Sequence, residues 1–302
     1  MRILITGGAG FIGSHLTQHL LTLDHQIIIF DNFSTGKIEN LNFLQNYPGR
    51  YQIHYADILD QNTLSLVFQA QKIDLVYHLA AAISVEESIQ NPQKYQEINV
   101  QGTKNILEEI AGKGIRLVYA SSAAVYGTQQ TNIISEDLQT NPQSPYAETK
   151  LMGEDLIKES DLPATILRFF NAYGPKQDIN SGYAAVIPKF INRIKQKKPL
   201  IIYGDGKQTR DFIYVTDIIE ALYLSGFSEI PQLGPFNVGT GKETSLNDLI
   251  ITLQKVLQLP IQYIQSSTRN GDIKHSMANI EKIQELGFNP KYNLFDGLRN
   301  LN

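Results

Sequence analysis

The chain contains no cysteine. Disulfides, thiolate nucleophiles and cysteine-ligated zinc are therefore excluded, although the absence does not identify a compartment. No apolar run approaches the roughly 18 residues of a membrane-spanning helix. No basic start is followed by an apolar run and a small-residue cleavage site; "MRILITGG" opens directly as a strand. A cytoplasmic protein with no membrane partner is expected. Excess positive charge is also missing: 26 Lys+Arg stand against 30 Asp+Glu, mixed along the chain, for a net charge of −4. No nucleic-acid partner is expected on that balance. Gly-x-Ser-x-Gly, His-Glu-x-x-His and Gly-x-x-x-x-Gly-Lys-Ser/Thr do not occur, so hydrolase, metalloprotease and P-loop readings lack their parts. His15 and His19 lie four apart on one predicted helix with no further ligand nearby. They read as packing or surface residues, and no metal is expected.

What is present is an alternation. With 302 residues, 42% of them hydrophobic, the chain fits one large α/β unit or two domains. Short apolar runs at 2–7, 26–31, 51–57, 74–81, 115–122 and 164–171 read as strands, 11–23 reads as a helix, and helical patterns separate most of the strands. Apolar strands alternating with helices imply a parallel sheet covered on both faces. After about residue 168 loops lengthen, and "PFNVGT" at 235–240 reads as a late strand. The expectation is an α/β fold: a Rossmann-type doubly wound sheet with a smaller, mainly C-terminal α/β substrate domain. Residues 1–167, with a returning segment at about 213–240, form the first; 168–212 and 241–302 form the second.

Several residues carry chemistry. Gly7, Gly10 and Gly13, in "TGGAGFIG", lie between the first strand and the first helix. That position needs a tight turn, close approach of backbone N–H groups to a pyrophosphate and close helix packing. Asp31 ends the second strand, where a carboxylate accepts hydrogen bonds from a ribose and repels a 2′-phosphate. No arginine follows it, which favours NAD over NADP. Asp57 ends the third strand and either meets an adenine or caps the next helix. Ser121 and Ser122 fall at a strand's carboxyl end, where doubly wound sheets bind ligands; serines there also serve as loop caps. In "SPYAETK", Ser144 and Pro145 open a helix on which Tyr146 and Lys150 share a face. A second Tyr-x-x-x-Lys, Tyr203 to Lys207, sits in the turn-like "YGDGK".

The order and spacing of "TGGAGFIGSHL", "DNFSTGKIEN", "HLAA", "NVQGT", "SSAAVYG", "SPYAETK", "LRFFNAYGPKQD", "GYAAVIPKF", "YGDGKQTRDFIYVTDI", "FNVGTG" and "RNGDIKHSMANIEKIQELGF" resemble the extended short-chain dehydrogenases/reductases. Within them, the chain resembles the NAD-dependent sugar-nucleotide epimerase/dehydratase group, nearly end to end. The resemblance implies NAD as cofactor and a UDP-sugar as substrate. It implies Ser122, Tyr146 and Lys150 as the catalytic set. Cofactor contacts carry over to Gly7, Gly10, Phe11, Ile12, Gly13, Asp31, Asn32, Asp57, Ile58, Leu79, Ala80, Ala81, Tyr146, Lys150 and Phe169. Asn99 belongs with these, beneath the site, as a structural or proton-network residue. For the sugar nucleotide, Ser84, Ser122, Asn171, Ala185, Val186, Tyr203, Arg210, Arg269, Asp272 and Ser276 carry over, and a small residue at 276 leaves room for an N-acetyl group.

The reaction implied is 4-epimerisation. Dehydratases of this group follow the catalytic hydroxyl with an Asp-Glu pair, and decarboxylases usually keep the Glu; here Ala123 and Ala124 stand there. A cationic cofactor and Lys150 are expected to lower the Tyr146 phenol from about 10 toward 7, which needs roughly 4 kcal/mol. Alternatives are another epimerisation or reduction from the same 4-keto stage, for example on a uronic acid, and a non-catalytic NAD sensor. The resembled group commonly pairs two helices, here about 86–111 and 145–160, so a homodimer is expected.

Overall fold

The computed structural model describes residues 1–178, 185–229, 231–267 and 274–301. Seven strands form one sheet: β1 (Arg2–Thr6), β2 (Gln26–Asp31), β3 (Tyr51–Tyr55), β4 (Leu75–His78), β5 (Arg116–Ser122), β6 (Ala164–Phe169) and β7 (Phe236–Val238). Their spatial order is β7-β6-β5-β4-β1-β2-β3, and every neighbouring pair is parallel. Connections run outward in both directions from β1 and β4. The carboxyl ends of those two strands therefore flank a crevice.

The inner strands are apolar on both faces because helices cover both, whereas β3, at the sheet edge, is largely exposed. On one side Ile3, Ile5, Ile27 and Ile29 pack with Leu16 and Leu20 of α1 (Phe11–Thr22), and the same core takes in Ile218 and Leu222. On the other, Leu4, Ile28 and Phe30 share a core with Leu64 of α2 (Gln61–Ala70), Ile106 of α4 (Gly102–Ile110) and Ile157 of α5 (Pro145–Lys158). Between α2 and α4 lie α3 (Val85–Gln90) and a π-helical turn at Gln96–Gln101.

A separate core forms from α6 (Val186–Lys195), α8 (Leu246–Leu257) and the short strands Leu200–Tyr203 and Phe212–Tyr214; α7 (Val215–Phe227) joins it to the large sheet through Val215. The strand Met277–Ala278 runs back to pair with Ile133–Ile134, bringing a late segment toward the loop that follows Ser122. Among the described residues no helix is long and apolar enough to cross a membrane.

Candidate functional site

The glycines are where close packing demands them. Gly7 has φ +69°, and a Cβ there would lie 2.8 Å from the Ala80 nitrogen. A Cβ on Gly13 would run into the Gly7 carbonyl oxygen and stand 2.8 Å from Gly8 Cα. Gly10 precedes α1 and offers no capping side chain, and the first turn, which starts at Phe11 and Ile12, holds no acid. Its N–H groups are left to an anion.

Asp31 is buried at the end of β2. Its Oδ2 accepts from Ala9 N at 2.9 Å and its Oδ1 from Phe33 N at 2.8 Å. These bonds aim the carboxylate at the glycine turn, while burial raises its pKa. Asn32 Nδ2 donates to Asp57 Oδ2 at 2.6 Å. Asp57 does not cap the next helix; Asp60 does, accepting from Thr63 N at 3.1 Å. Ile58 is buried, and a Cβ on Gly102 would collide with its side chain, so only its backbone is placed for a ligand. Cradle, N-terminus and carboxylate fit the adenosine diphosphate half of NAD.

Across the crevice, Leu79, Ala80 and Ala81 leave the sheet. The Leu79 and Ala80 N–H groups each donate to Thr6 Oγ1 at 3.2 Å. Asn99, within the π-helical turn, accepts from Ala82 N at 2.8 Å and donates to Ala82 O at 3.0 Å and Thr149 Oγ1 at 3.1 Å. It thereby ties this turn to α5.

Ser144 caps α5, accepting from Ala147 N at 3.2 Å, with Pro145 in the first turn. The helix brings half-buried Tyr146 beside Ser122, whose Oγ accepts from Ala124 N at 3.2 Å and whose hydroxyl is left for the phenol oxygen. Phe169 ends β6 opposite Ser122. The Tyr95 ring meets Tyr146 edge-on at 6.4 Å. Lys150 is buried, with Nζ 4.6 Å from the centre of the Tyr119 ring.

The electrostatics correct one expectation. Burial raises the Tyr146 phenol, and the opposing pull comes from the Ser122 hydrogen bond. Burial lowers Lys150 to about 7, against an upward pull from Glu154. The chain's own groups therefore do not deliver the lowered phenol; a desolvated lysine turned toward an aromatic face outweighs nothing without a further positive charge beside the tyrosine.

On the sugar-nucleotide side, Asn171 Nδ2 donates to Asp211 O at 3.2 Å. Ala185 precedes α6, whose first turn has no acid and no capping side chain among the described residues. Tyr203 ends its strand, and Arg210 Nη1 donates to Thr209 O at 2.8 Å. Lys207 follows in a turn, so Tyr203 and Lys207 share no helix face. Ser276 is half-buried just before Met277–Ala278. Ser84 caps α3, its Oγ accepting from Glu87 N at 3.0 Å; the cap leaves the hydroxyl proton to donate. Arg269 and Asp272 lie outside the described residues.

His15 donates to Pro175 O at 3.0 Å and His19 packs edge-on against Tyr223. No group of three potential metal ligands occurs among the described residues. Sequence reasoning missed His78, Glu154, Arg168 and Asp211, all buried polar groups around the site. Glu154 lies four residues after Lys150, so periodicity puts the two on one helix face but does not say what that face meets.

Residues 3–239 match the NAD dependent epimerase/dehydratase family. A putative UDP-glucose 4-epimerase of Methanocaldococcus jannaschii is 38% identical over 98% of this chain and 96% of its own length. The structure of UDP-glucose 4-epimerase from Thermotoga maritima with UDP-glucose superposes with a TM-score of 0.93 at 32% identity, over 100% of this chain and 97% of that one. UDP-N-acetylglucosamine 4-epimerase of Methanobrevibacter ruminantium M1, in complex with UDP-N-acetylmuramic acid, gives 0.92 at 38% identity, over 99% and 96%.

Proposed function

The chain belongs to the NAD-dependent epimerase/dehydratase family, and we propose that it inverts C4 of UDP-hexoses. UDP-GlcNAc and UDP-GalNAc, UDP-glucose and UDP-galactose, or both pairs, are its substrates. The observation that carries this reading is the placement of Ser122, at the end of β5, beside Tyr146, which shares one face of α5 with buried Lys150, with Ala123 and Ala124 beginning the turn after the serine. A hydroxyl, a phenol and an ammonium can move one proton on and off one sugar oxygen. No carboxylate follows Ser122 to drive loss of water.

NAD supplies the hydride acceptor and donor for C4 when bound. Tyr146 takes the proton from the 4-hydroxyl and later returns it. Ser122 donates to the same oxygen, so the phenolate and the sugar alkoxide are stabilised by one hydroxyl. Lys150 provides positive charge beneath the phenol, and Asn99 holds the turn at Ala82 against α5. Two helix ends, at Phe11 and at Val186, receive the dinucleotide and sugar-nucleotide phosphates, with Arg210 adding a planar fork for the latter.

Residues 1–167 and about 213–240 serve the dinucleotide, and 168–212 with 241–302 the sugar nucleotide; the separate core of α6 and α8 favours two units, although Ile283 and Phe288 pack into the core of the large sheet. A homodimer pairing the helices in 86–111 and 145–160 completes the reading. The test is incubation of purified protein with a panel of UDP-sugars and chromatography of the products. Interconversion of C4 epimers supports the proposal; an unchanged panel, or a decarboxylated or dehydrated product, refutes it.

A further inference from the structure

Glu154 has no part in the proton path just described, yet it is fully buried. It stands one helical turn beyond Lys150, on the same face of α5. Three elements of the site converge on its carboxylate. Arg168, the last residue of β6 before Phe169, holds it by two hydrogen bonds, Nε to Oε1 at 2.8 Å and Nη2 to Oε2 at 2.6 Å. Ser121, the neighbour of Ser122 on β5, donates to Oε1 at 2.6 Å. Lys158 reaches Oε2 at 3.5 Å from the helix end. Beyond the pair, the Arg168 guanidinium lies 4.7 Å from the Tyr126 ring centre, and Tyr126 donates to Asn237 Oδ1 at 2.6 Å.

We infer that Glu154 is a positioning residue for Tyr146 and Lys150: its carboxylate fixes α5 against the Ser122 strand and supplies the negative charge that faces Lys150. The inference rests on the proposed roles of those two residues. Burying a carboxylate is costly unless it is paired and fully hydrogen-bonded, and both oxygens here are. The groups set against Lys150 are Glu154, one turn on along α5, the Tyr119 ring from β5 and His78 from β4. His78 is held neutral by burial, so among these groups Glu154 is the anion. It opposes the desolvation that pulls Lys150 down. Arg168 reaches Lys150 only across the carboxylate.

The sign of the effect follows. Removing a negative charge favours the neutral amine of Lys150 and the phenolate of Tyr146. Both ionisations move to lower pH, so a pH profile is displaced as a whole. A purely structural role lowers the height of the profile and leaves its midpoints in place.

The test uses the full chain with Glu154→Gln. Because that variant strands the buried Arg168, Glu154→Gln/Arg168→Met is made beside it and removes both charges. Epimerisation is followed from pH 5 to 10, and NAD affinity is measured by calorimetry over the same range. The expected result is a shift of the midpoints to lower pH by about one unit, as opposite charges within a few ångströms typically shift a pKa by 1–3. The double variant shows the same direction. Unchanged midpoints in whichever variant folds, with only reduced rate or affinity, overturn the inference. If wild type epimerises no UDP-sugar, the proposed function falls, and the calorimetric midpoints alone decide the role of Glu154.

Discussion

Thr6 and His78 are joined by a 2.8 Å hydrogen bond between the carboxyl ends of β1 and β4, where the sheet order reverses. The direction of that bond can be deduced. Thr103 Oγ1 gives its proton to Asn99 O at 2.6 Å, so it accepts from His78 Nε2 at 3.0 Å. His78 is therefore the Nε2–H tautomer, and Nδ1 accepts from Thr6. Thr6 Oγ1 is then free to accept the Leu79 and Ala80 N–H groups. One neutral imidazole orders the cofactor-side turn and the π-helical turn together.

That neutrality makes the fold acid-sensitive. Burial lowers His78 to about 3, whereas an unfolded histidine titrates near 6.5. Between those values the unfolded chain binds a proton that the folded chain refuses. The contribution of His78 to stability is present above pH 6.5 and lost as pH falls toward 3, at up to ~1.4 kcal/mol per unit. His78→Gln is expected to flatten this slope in urea titrations at pH 7, 6, 5 and 4. Parallel slopes for wild type and variant would assign the acid sensitivity elsewhere.

Tyr146→Phe keeps the ring but removes the base. NAD affinity should persist while turnover falls by at least about 10²-fold. Turnover near that of wild type would remove Tyr146 from the proton path.

Asp31, fixed by two backbone N–H groups, predicts strong preference for NAD⁺ over NADP⁺, because a 2′-phosphate would meet a carboxylate that cannot turn away. Calorimetry on apo-protein should show clearly weaker NADP⁺ binding. Equal affinities would contradict the placement of the adenosine ribose.

On the proposed reading, Ser276 faces the sugar's 2-substituent and limits its size. Ser276→Tyr is expected to lower turnover of N-acetylated UDP-sugars by roughly 5- to 150-fold, the equivalent of about 1–3 kcal/mol of overpacking, while largely sparing UDP-glucose. The same response to both sugars would show that residue 276 does not face the 2-substituent.

The sheet was legible because its inner strands are apolar on both faces: Ile27–Phe30 is buried throughout, and β2 spans the expected 26–31. Strand ends were less so. The run at 74–81 forms a strand only over Leu75–His78; Leu79 N still reaches Thr6 O of β1 at 3.2 Å, but the Ala80 N–H turns to the Thr6 hydroxyl. Position alone leaves Asp57 open between meeting an adenine and capping the next helix; the cap is Asp60, since α2 begins only at Gln61. The shared helix face of Tyr146 and Lys150 was legible from their spacing and the Ser144 cap. The carboxylate beneath them went unread, because whether a helical glutamate faces solvent or a buried arginine is decided by β6, some distance along the chain. The upward pressure on the Tyr146 phenol was invisible for the same reason: it is a property of packing.

The central claim is that C4 inverts by removal and return of the same hydrogen within one site. UDP-glucose or UDP-GlcNAc carrying deuterium at C4, incubated with the purified holoenzyme in ordinary water, tests it directly. The account predicts a C4 epimer that retains the deuterium, with no lasting change in absorbance at the reduced-nicotinamide band. Deuterium lost to solvent, or stoichiometric accumulation of reduced cofactor with an oxidised sugar, would contradict it.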